Sequence, residues 1–484
     1  MNRRIGFIGI MFAALTGMGI TLFFLSRTPE VSPSSAEEGE EYIYIANSAE
    51  VSDAAIASVT VRNSFGEFTL TGGDNPAISG FEHIAMDTYS LGRILNVSVR
   101  LVSRGLVTNE AADLAVFGLE PPRAELLIRP AEGEAAALLI GSDAPDGGNV
   151  YVKLTASPQI HLAASYDVDL FLKSPLDFTD TEITPQAETS RAGEPPFAKI
   201  VLGGLVRRGE EITIVDAGPG GGSGNVFFGS RCRITGPVNA ALSTDKGLPP
   251  LEALFGLKAA RAAALLSANG ELARYGLAEP WSTAEVYSNP RFDPETGEDR
   301  NGNFSLRVSK PDERGMVHIL REGSSLVYEA AASSLPWLEL SWFDLMEKLI
   351  ILPFIDSISL IEIKTPSRAV SFSLSGGGDD LRVKAGDIDI DTGNFRAYYQ
   401  TLIAARYDEY SGVSAAALPP PFLEIVYHYR GRPADTVSFH EASSRRVLSS
   451  LNRGRPHFTL SAYTDQVLAD LDAVLANQSV RPYL

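Results

Sequence analysis

Short bursts of alternating apolar and polar residues recur along the chain, each of strand length and each bounded by turn residues. The first is Ser58-Val59-Thr60-Val61-Arg62, followed across a turn at 64–66 by Glu67-Phe68-Thr69-Leu70. Period-two alternation marks a strand with one buried face, and two such runs joined by a tight turn mark a hairpin. The period then changes. Behind Asp87-Thr88, the apolar residues Leu91, Ile94, Leu95, Val97, Val99 and Leu101 lead to Val102 and predict a helix, with the polar pair as its cap. Phe117-Gly118-Leu119-Glu120-Pro121-Pro122 comes next. Runs at 124–129, 136–140, 150–154 and 159–163 read as four strands, with Asp146-Gly147-Gly148-Asn149 as a turn, and 166–172 closes the unit as a short helix.

The same order returns twice. The second copy has strands at 199–202 and 211–214, then Ser243-Thr244-Asp245 ahead of Leu251, Leu254, Phe255 and Leu257. Tyr275-Gly276-Leu277-Ala278-Glu279-Pro280 repeats the turn motif, strands at 284–287, 304–308, 317–320 and 326–329 follow, and 343–349 reads as the closing helix. The third copy runs from strands at 358–363 and 369–374, through Asp391-Thr392 and a helix with Phe395, Tyr398, Tyr399, Leu402 and Ile403, to strands at 422–427, 435–439, 446–450 and 457–460 and a helix at 467–475. Its motif is eroded to Pro419-Pro420-Pro421. Spacings above about one hundred residues are too long for a solenoid, so the copies read as tandem domains. The expected fold class is α+β, antiparallel sheet covered by helices, with repeat domains at 56–185, 198–350 and, divergent, 355–484.

The N-terminus breaks this pattern. Residues 5–25 carry no charge, and as a helix they extend about 32 Å, enough for a hydrocarbon core of about 30 Å. Arg3 and Arg4 precede the run, whereas Glu37-Glu38-Gly39-Glu40-Glu41 lies beyond it, so the positive-inside rule keeps the N-terminus cytoplasmic and the remainder outside. Residues 1–27 are thus expected to be a cytoplasmic tip and a transmembrane anchor, and 28–55 an acidic tether. A cleaved signal peptide, with Ser34-Ser35-Ala36 as the cleavage site, is the alternative. No cysteine lies close behind the run, which excludes a lipoprotein anchor. The expected location is a bacterial cytoplasmic membrane, single-pass, with the bulk of the chain extracytoplasmic.

Composition narrows the partners. With 60 acidic against 41 basic residues among 484, the net charge is −19, and such a surface repels phosphate backbones. No nucleic acid is expected. A single cysteine, Cys232, rules out an internal disulfide and multi-cysteine zinc sites, and reads as a small buried hydrophobe.

No stretch carries a catalytic or cofactor signature, and no catalytic, cofactor-binding or metal residue is assigned. Ser243-Thr244-Asp245-Lys246 has the Ser-x-x-Lys spacing of a lysine-activated serine, but the companion Ser-Asp-Asn and Lys-Thr-Gly elements are missing, and a helix cap accounts for it. Asp299-Arg300-Asn301-Gly302-Asn303 opens like a calcium loop yet runs into a strand, so a polar hairpin loop is expected. The glycine-rich 219–224 reads as a flexible loop. The six histidines, His83, His161, His318, His428, His440 and His457, are dispersed. Asp387, Asp389 and Asp391 alternate along a strand-like run and read as a solvated face. Trp337 and Trp342 read as core or inter-domain packing.

The pattern of aromatic-Gly-Leu, strand, Ile-Gly, turn and Tyr-Val resembles the bacterial "domain of unknown function 4340" family. Phe117-Gly118-Leu119 with Pro121, Leu139-Ile140-Gly141, Gly148-Asn149-Val150-Tyr151-Val152, and Leu172 with Ser174 carry the resemblance. Tyr275-Gly276-Leu277 with Pro280, and Leu326-Val327-Tyr328, repeat parts of it. The resemblance covers about residues 58–180 and parts of the second copy. It implies one N-terminal span, an extracytoplasmic body and association with export-type ABC transporters of the gliding-motility kind, with no catalytic residues to carry across. The expected function is a non-enzymatic, membrane-anchored binding or scaffolding protein with a protein partner in the envelope. The alternatives are a cell-envelope hydrolase, or a sugar- or peptide-binding module with its site between domains.

Overall fold

A computed structural model describes residues 44–45, 56–110, 113–187, 194–218, 230–267, 269–289, 291–292, 299–300 and 302–483. The expected anchor at 5–25 and the glycine-rich 219–224 lie outside these residues. Among the described residues, no helix is long and apolar enough to cross a membrane. The fold is mainly antiparallel β, in three large sheets with few helices, so the α+β expectation holds in this coarser form.

In the first sheet, β1 (Ile56–Asn63), β2 (Gly66–Thr71) and β3 (Ala77–Ile78) form a meander, followed by helix α1 (Thr88–Arg100) and strand β4 (Gly105–Thr108). A second meander follows: β5 (Ala124–Pro130), β6 (Ala136–Asp143), β7 (Asn149–Leu154) and β8 (Ile160–Ala164), closed by the single turn α2 (Ser165–Val168). The order across the sheet is β3-β2-β1-β5-β6-β7-β8-β4, so β4 pairs at the far edge with β8.

The second sheet holds β9 (Phe197–Gly203), β10 (Ile212–Asp216), β11 (Cys232–Gly236) and β12 (Ala240–Ala241), then α3 (Leu248–Glu252) and β13 (Arg261–Leu265). Its second meander starts with β14 (Ser282–Ser288). A small hairpin of β15 (Arg291–Phe292) and β16 (Asp299–Arg300) is inserted before β17 (Phe304–Val308), β18 (Met316–Arg321), β19 (Leu326–Ala331) and α4 (Trp342–Leu345). The third sheet has β20 (Ile358–Thr365), β21 (Arg368–Ser375), β22 (Arg382–Ala385) and β23 (Ile388–Ile390), then α5 (Thr392–Ile403) and β24 (Glu409–Tyr410). It continues with β25 (Pro421–Tyr429), β26 (Arg432–Glu441), β27 (Arg446–Leu451), β28 (His457–Leu460) and α6 (Ser461–Leu475). The orders, β12-β11-β10-β9-β14-β17-β18-β19-β13 and β23-β22-β21-β20-β25-β26-β27-β28-β24, repeat that of the first sheet with one strand added at the hairpin edge.

Register follows the alternation. Val59 and Val61 face Leu70 and Phe68 on one side and Ile128 and Leu126 on the other. Ile361 and Ile363 stand likewise between Phe372 and Val370 and between Tyr427 and Ile425. All of these except the half-buried Val370 are buried. Helix α1 lays Leu91, Ile94, Leu95, Ser98 and Val99 into its core, with Asp87 accepting from the Tyr89 and Ser90 N–H groups at 3.1 and 3.3 Å. Asp391 caps α5 in the same way, from Asn394 N–H at 2.9 Å. In the second sheet the helix is only one turn. Pro249 and Pro250 suit a helix start, but Gly256 at φ +65° turns the chain soon after, leaving Leu251, Leu254 and Leu257 buried without an extended helix.

Contacts divide the chain into two compact units, one ending at Pro175 and the other Leu176–Leu484, which contains the second and third sheets. In all three copies a short extended segment ahead of the first strand pairs antiparallel with the segment after the helix. The bridges are Tyr44 with Val102, Glu182 with Lys258, and Leu349 with Arg406.

The Phe-Gly-Leu motif is a tight turn seated on a bulged strand. Gly118 lies at φ +65°, where a Cβ would come within 2.7 Å of the Ser142 nitrogen, and a Cβ on Gly141 would come within 2.3 Å of Phe117 O. Both glycines are therefore required by the approach of the turn to β6, whose register slips between Ile140 and Asp143. Phe117 meets Tyr151 edge-on at 5.1 Å, and in the second copy Tyr275 meets His318 at 5.2 Å. Gly276 repeats the left-handed turn at φ +68°. Gly141→Ala is expected to lower the stability of the first unit by about 1–3 kcal/mol. Gly148→Ala, where a Cβ meets open space, should stay within about 0.5 kcal/mol of the parent. Denaturant midpoints of the two variants check this, and equal midpoints would refute the close approach.

Candidate functional site at the seam of the second and third sheets

The residues joining the second sheet to the third are an extended ribbon and not the end of a helix. The expected closing helix at 343–349 stops at Leu345, because both edges of the following backbone are taken by other segments. On one edge Ser243 N–H donates to Leu345 O at 2.9 Å and Glu347 N–H to Ala241 O at 2.8 Å. On the other, Tyr407 N–H donates to Lys348 O at 2.8 Å and Ile350 N–H to Ala405 O at 2.9 Å. The ribbon thereby fixes side chains from both sheets around two cavities.

The first cavity, about 440 Å³, is lined by Arg233, Trp342, Ile350, Tyr407, Arg455 and His457 among others. His457 is 3% exposed. Four rings enclose it: Tyr407 at 4.8 Å, Phe343 at 5.1 Å, Trp342 at 5.6 Å and Tyr410 at 5.8 Å. Trp342 and Phe343 come from the second copy, and Tyr407, Tyr410 and His457 from the third, so the cluster is a cross-seam aromatic core. Ring pairs of this kind contribute about 0.5–1.5 kcal/mol each beyond area burial. The His457 Nδ1 is buried without a hydrogen-bond partner. Burial, helped by Lys348 and Arg455, pulls its pKa down to about 4. Arg455 stacks its guanidinium over Trp342 at 5.5 Å.

The second cavity, about 610 Å³, is lined by Lys246, Lys348, Arg406, Tyr407, Asp408 and Tyr463 among others. Lys348 is half-buried. Its ammonium donates to Phe343 O and lies 3.2 Å from the centre of the Phe343 ring. Burial pulls the Lys348 pKa down to about 8.

Elsewhere in the second copy, Arg207 is buried and bound by neutral groups only. It donates to Gly203 O and Ser282 Oγ at 2.8 Å each, and to Trp337 O at 2.9 Å, and burial lowers its pKa to about 10. It ties the start of the copy to the buried Trp337 turn.

The residues singled out from sequence are dispersed by the fold. Ser243 Oγ accepts from the Lys246 backbone N–H at 3.3 Å, a turn cap, while the Lys246 side chain lines the cavity. Asn303 Oδ1, in the calcium-like stretch, is used by Ser288 N–H at 3.0 Å. Asp389 pairs with Lys384 at 3.1 Å and Asp391 caps α5, so the aspartate run is divided between tasks. His161 bonds Ser103 at 3.0 Å, His428 bonds Glu362 at 2.7 Å, and His440 bonds Pro419 O at 2.6 Å. Among the described residues, no group of three His, Cys, Asp or Glu side chains is placed to hold one metal ion. Cys232 is buried, its thiol pushed up to about 12. Trp337 is core, and Trp342 is seam packing. The residues that sequence reasoning missed are Lys348, Arg406 and Arg455, which carry no local motif. Only their assembly across the ribbon brings them together.

The structure thus defines a class: a tandem protein of one antiparallel module, built three times. A profile of the family "Domain of unknown function (DUF4340)" matches residues 83–194 and 233–421, more than half of the chain, and the chain belongs to that family. No curated protein and no solved structure matches it.

His457 makes stability depend on pH. Its folded pKa, about 4, lies below the ordinary value of 6.5, so the neutral ring is favoured in the fold. That contribution is complete above about pH 6.5 and is lost as pH falls towards 4, amounting to about 3 kcal/mol at most. His457→Phe keeps the ring packing and removes the unpartnered nitrogen. Denaturant midpoints at pH 7 and pH 5 should differ less in the variant than in the parent, and equal differences would assign the pH dependence to other groups.

Proposed function

We propose that the protein is a membrane-anchored, extracytoplasmic binding and scaffolding protein, an accessory component of an ABC-type export or envelope complex. The observation that carries this reading is repetition. One sheet order is built three times, while the side chains presented at equivalent places differ: Phe117 with Tyr151 in the first copy is Tyr275 with His318 in the second. A framework that repeats offers several similar faces over which contacts can be spread, as a partner-binding body needs. The uncharged run at 5–25, with Arg3 and Arg4 before it and Arg27 as the one nearby basic residue after it, supports the anchor. The excess of acidic residues supports a protein partner over a nucleic acid.

Crosslinking in intact cells, followed by mass spectrometry of what co-purifies, tests the reading. Stoichiometric transporter subunits are expected. Their loss when 5–25 is replaced by an unrelated span would put the contact in the membrane, and their retention would put it in the sheet modules. Recovery of no protein partner would refute the scaffold.

A further inference from the structure

We propose that the cavity formed by Lys246, Lys348 and Arg406 is an anion site that takes the phosphate group of a phosphate monoester. This site does not depend on the scaffolding reading, and it stands on three observations.

The first is convergence. Lys246 comes from the loop before α3, Lys348 from the ribbon and Arg406 from the segment after α5, and all three line one cavity of about 610 Å³. The chain carries a net charge of −19, so a pocket with three cations runs against its general field.

The second is the state of the neighbouring carboxylates. None of the three cations makes an ion pair with a carboxylate among the described residues. Asp408, which lines the same cavity, accepts the Leu460 N–H at 2.9 Å. Glu347 accepts the Lys348 and Leu349 N–H groups at 2.8 and 3.1 Å, and Asp344 accepts from Ser341 N–H at 2.9 Å and Ser341 Oγ at 2.6 Å. The nearby carboxylates thus hydrogen-bond backbone N–H groups and Ser341 and form no direct ion pair with the three cations, although they keep their charge. Burial lowers the Lys348 pKa; Asp344 and Glu347 pull it back up, and Arg406 and Lys246 add smaller downward pushes. An anion in the cavity would add to the pull of Asp344 and Glu347 and favour the charged ammonium.

The third is the match of number. A carboxylate offers two oxygens and one charge, whereas a phosphate monoester offers three terminal oxygens and close to two charges, enough to meet three cationic donors together. Leu349, Tyr407, Tyr463 and Tyr483 supply a partly apolar wall for the ester substituent. The shared chemistry is a phosphate monoester dianion, either free or as a lipid headgroup.

Equilibrium dialysis of the full-length chain in a neutral detergent tests this, with labelled inorganic phosphate in one arm and a soluble short-chain phosphatidic acid in the other. Saturable one-site binding is expected in at least one arm. Phosphate alone would indicate a free ligand, the lipid analogue alone a headgroup, and either supports the site. Lys246→Gln and Arg406→Gln should each weaken binding about tenfold, and Arg406→Lys should retain most of it. Thermal midpoints matching the parent separate a lost site from a lost fold. Absence of saturable binding in both arms, unchanged binding in the Lys246→Gln/Arg406→Gln double variant, or displacement by equimolar acetate would overturn the proposal.

Discussion

The second compact unit depends on the backbone pairing of the ribbon at 345–350. An extended segment has a bare N–H and C=O on each edge, and a buried group left unpaired costs about 1–3 kcal/mol. Here both edges are satisfied, one by Ala241–Ser243 and the other by Ala405–Tyr407. A connector that in other tandem proteins would be a solvated linker is therefore a shared strand. The same docking occurs ahead of every copy, at Tyr44, Glu182 and Leu349, so it belongs to the module itself. In the second unit it is double-sided. Two sheets then form one body, and Trp342, Phe343, Lys348, Arg406 and Tyr407 are placed relative to one another by main-chain bonds.

The turn motif is a second constraint of the same kind, local where the ribbon is long-range. Its glycines are explained by the backbone: Gly118 and Gly276 take φ values of +65° and +68°, and Gly141 lets Phe117 O approach β6. The third copy solves the problem differently. Its short helical turn at Ala415–Ala417 is followed by Leu418 at φ −69°, ψ 134°, extended backbone that needs no glycine. The motif is absent there because the left-handed turn is absent, while the sheet order persists. The most recognisable stretch of the sequence is thus a device for turning the chain and carries no chemistry of its own.

This explains what could be read in the sequence. The long central strands have one buried face and local hairpin partners, so alternation and turn residues reveal them. Asp87 and Asp391 stand where caps are expected and are caps. The edge strands β4, β13 and β24 give no such signal. They are short, and each pairs with a strand about fifty residues or more further along the chain, so no local pattern announces them. Residues 346–349 follow a helix-like apolar run, yet pairing on both edges draws them into a ribbon. The cationic cavity is hidden for the same reason. Lys246 draws notice only through a serine three residues earlier, and the fold points that serine at the backbone instead.

A site assembled across a seam has a thermodynamic consequence that a site within one sheet lacks. Lys246 belongs to the second copy and Arg406 to the third, with Lys348 on the ribbon between them. A ligand that holds all three binds only the docked arrangement, and by mass action it stabilises that arrangement by RT ln(1 + [L]/Kd). Of the three cations only Lys348 is half-buried, while Lys246 and Arg406 are exposed, so the docking itself rests on the ribbon and on the rings around His457. At physiological salt the acidic surface more than about 8 Å away is largely screened. A small dianion entering the cavity meets mainly the local positive field. A large polyanion must also approach the negative surface around it. The charge distribution thus favours a small anionic ligand, and it couples that ligand to how firmly the two sheets are joined.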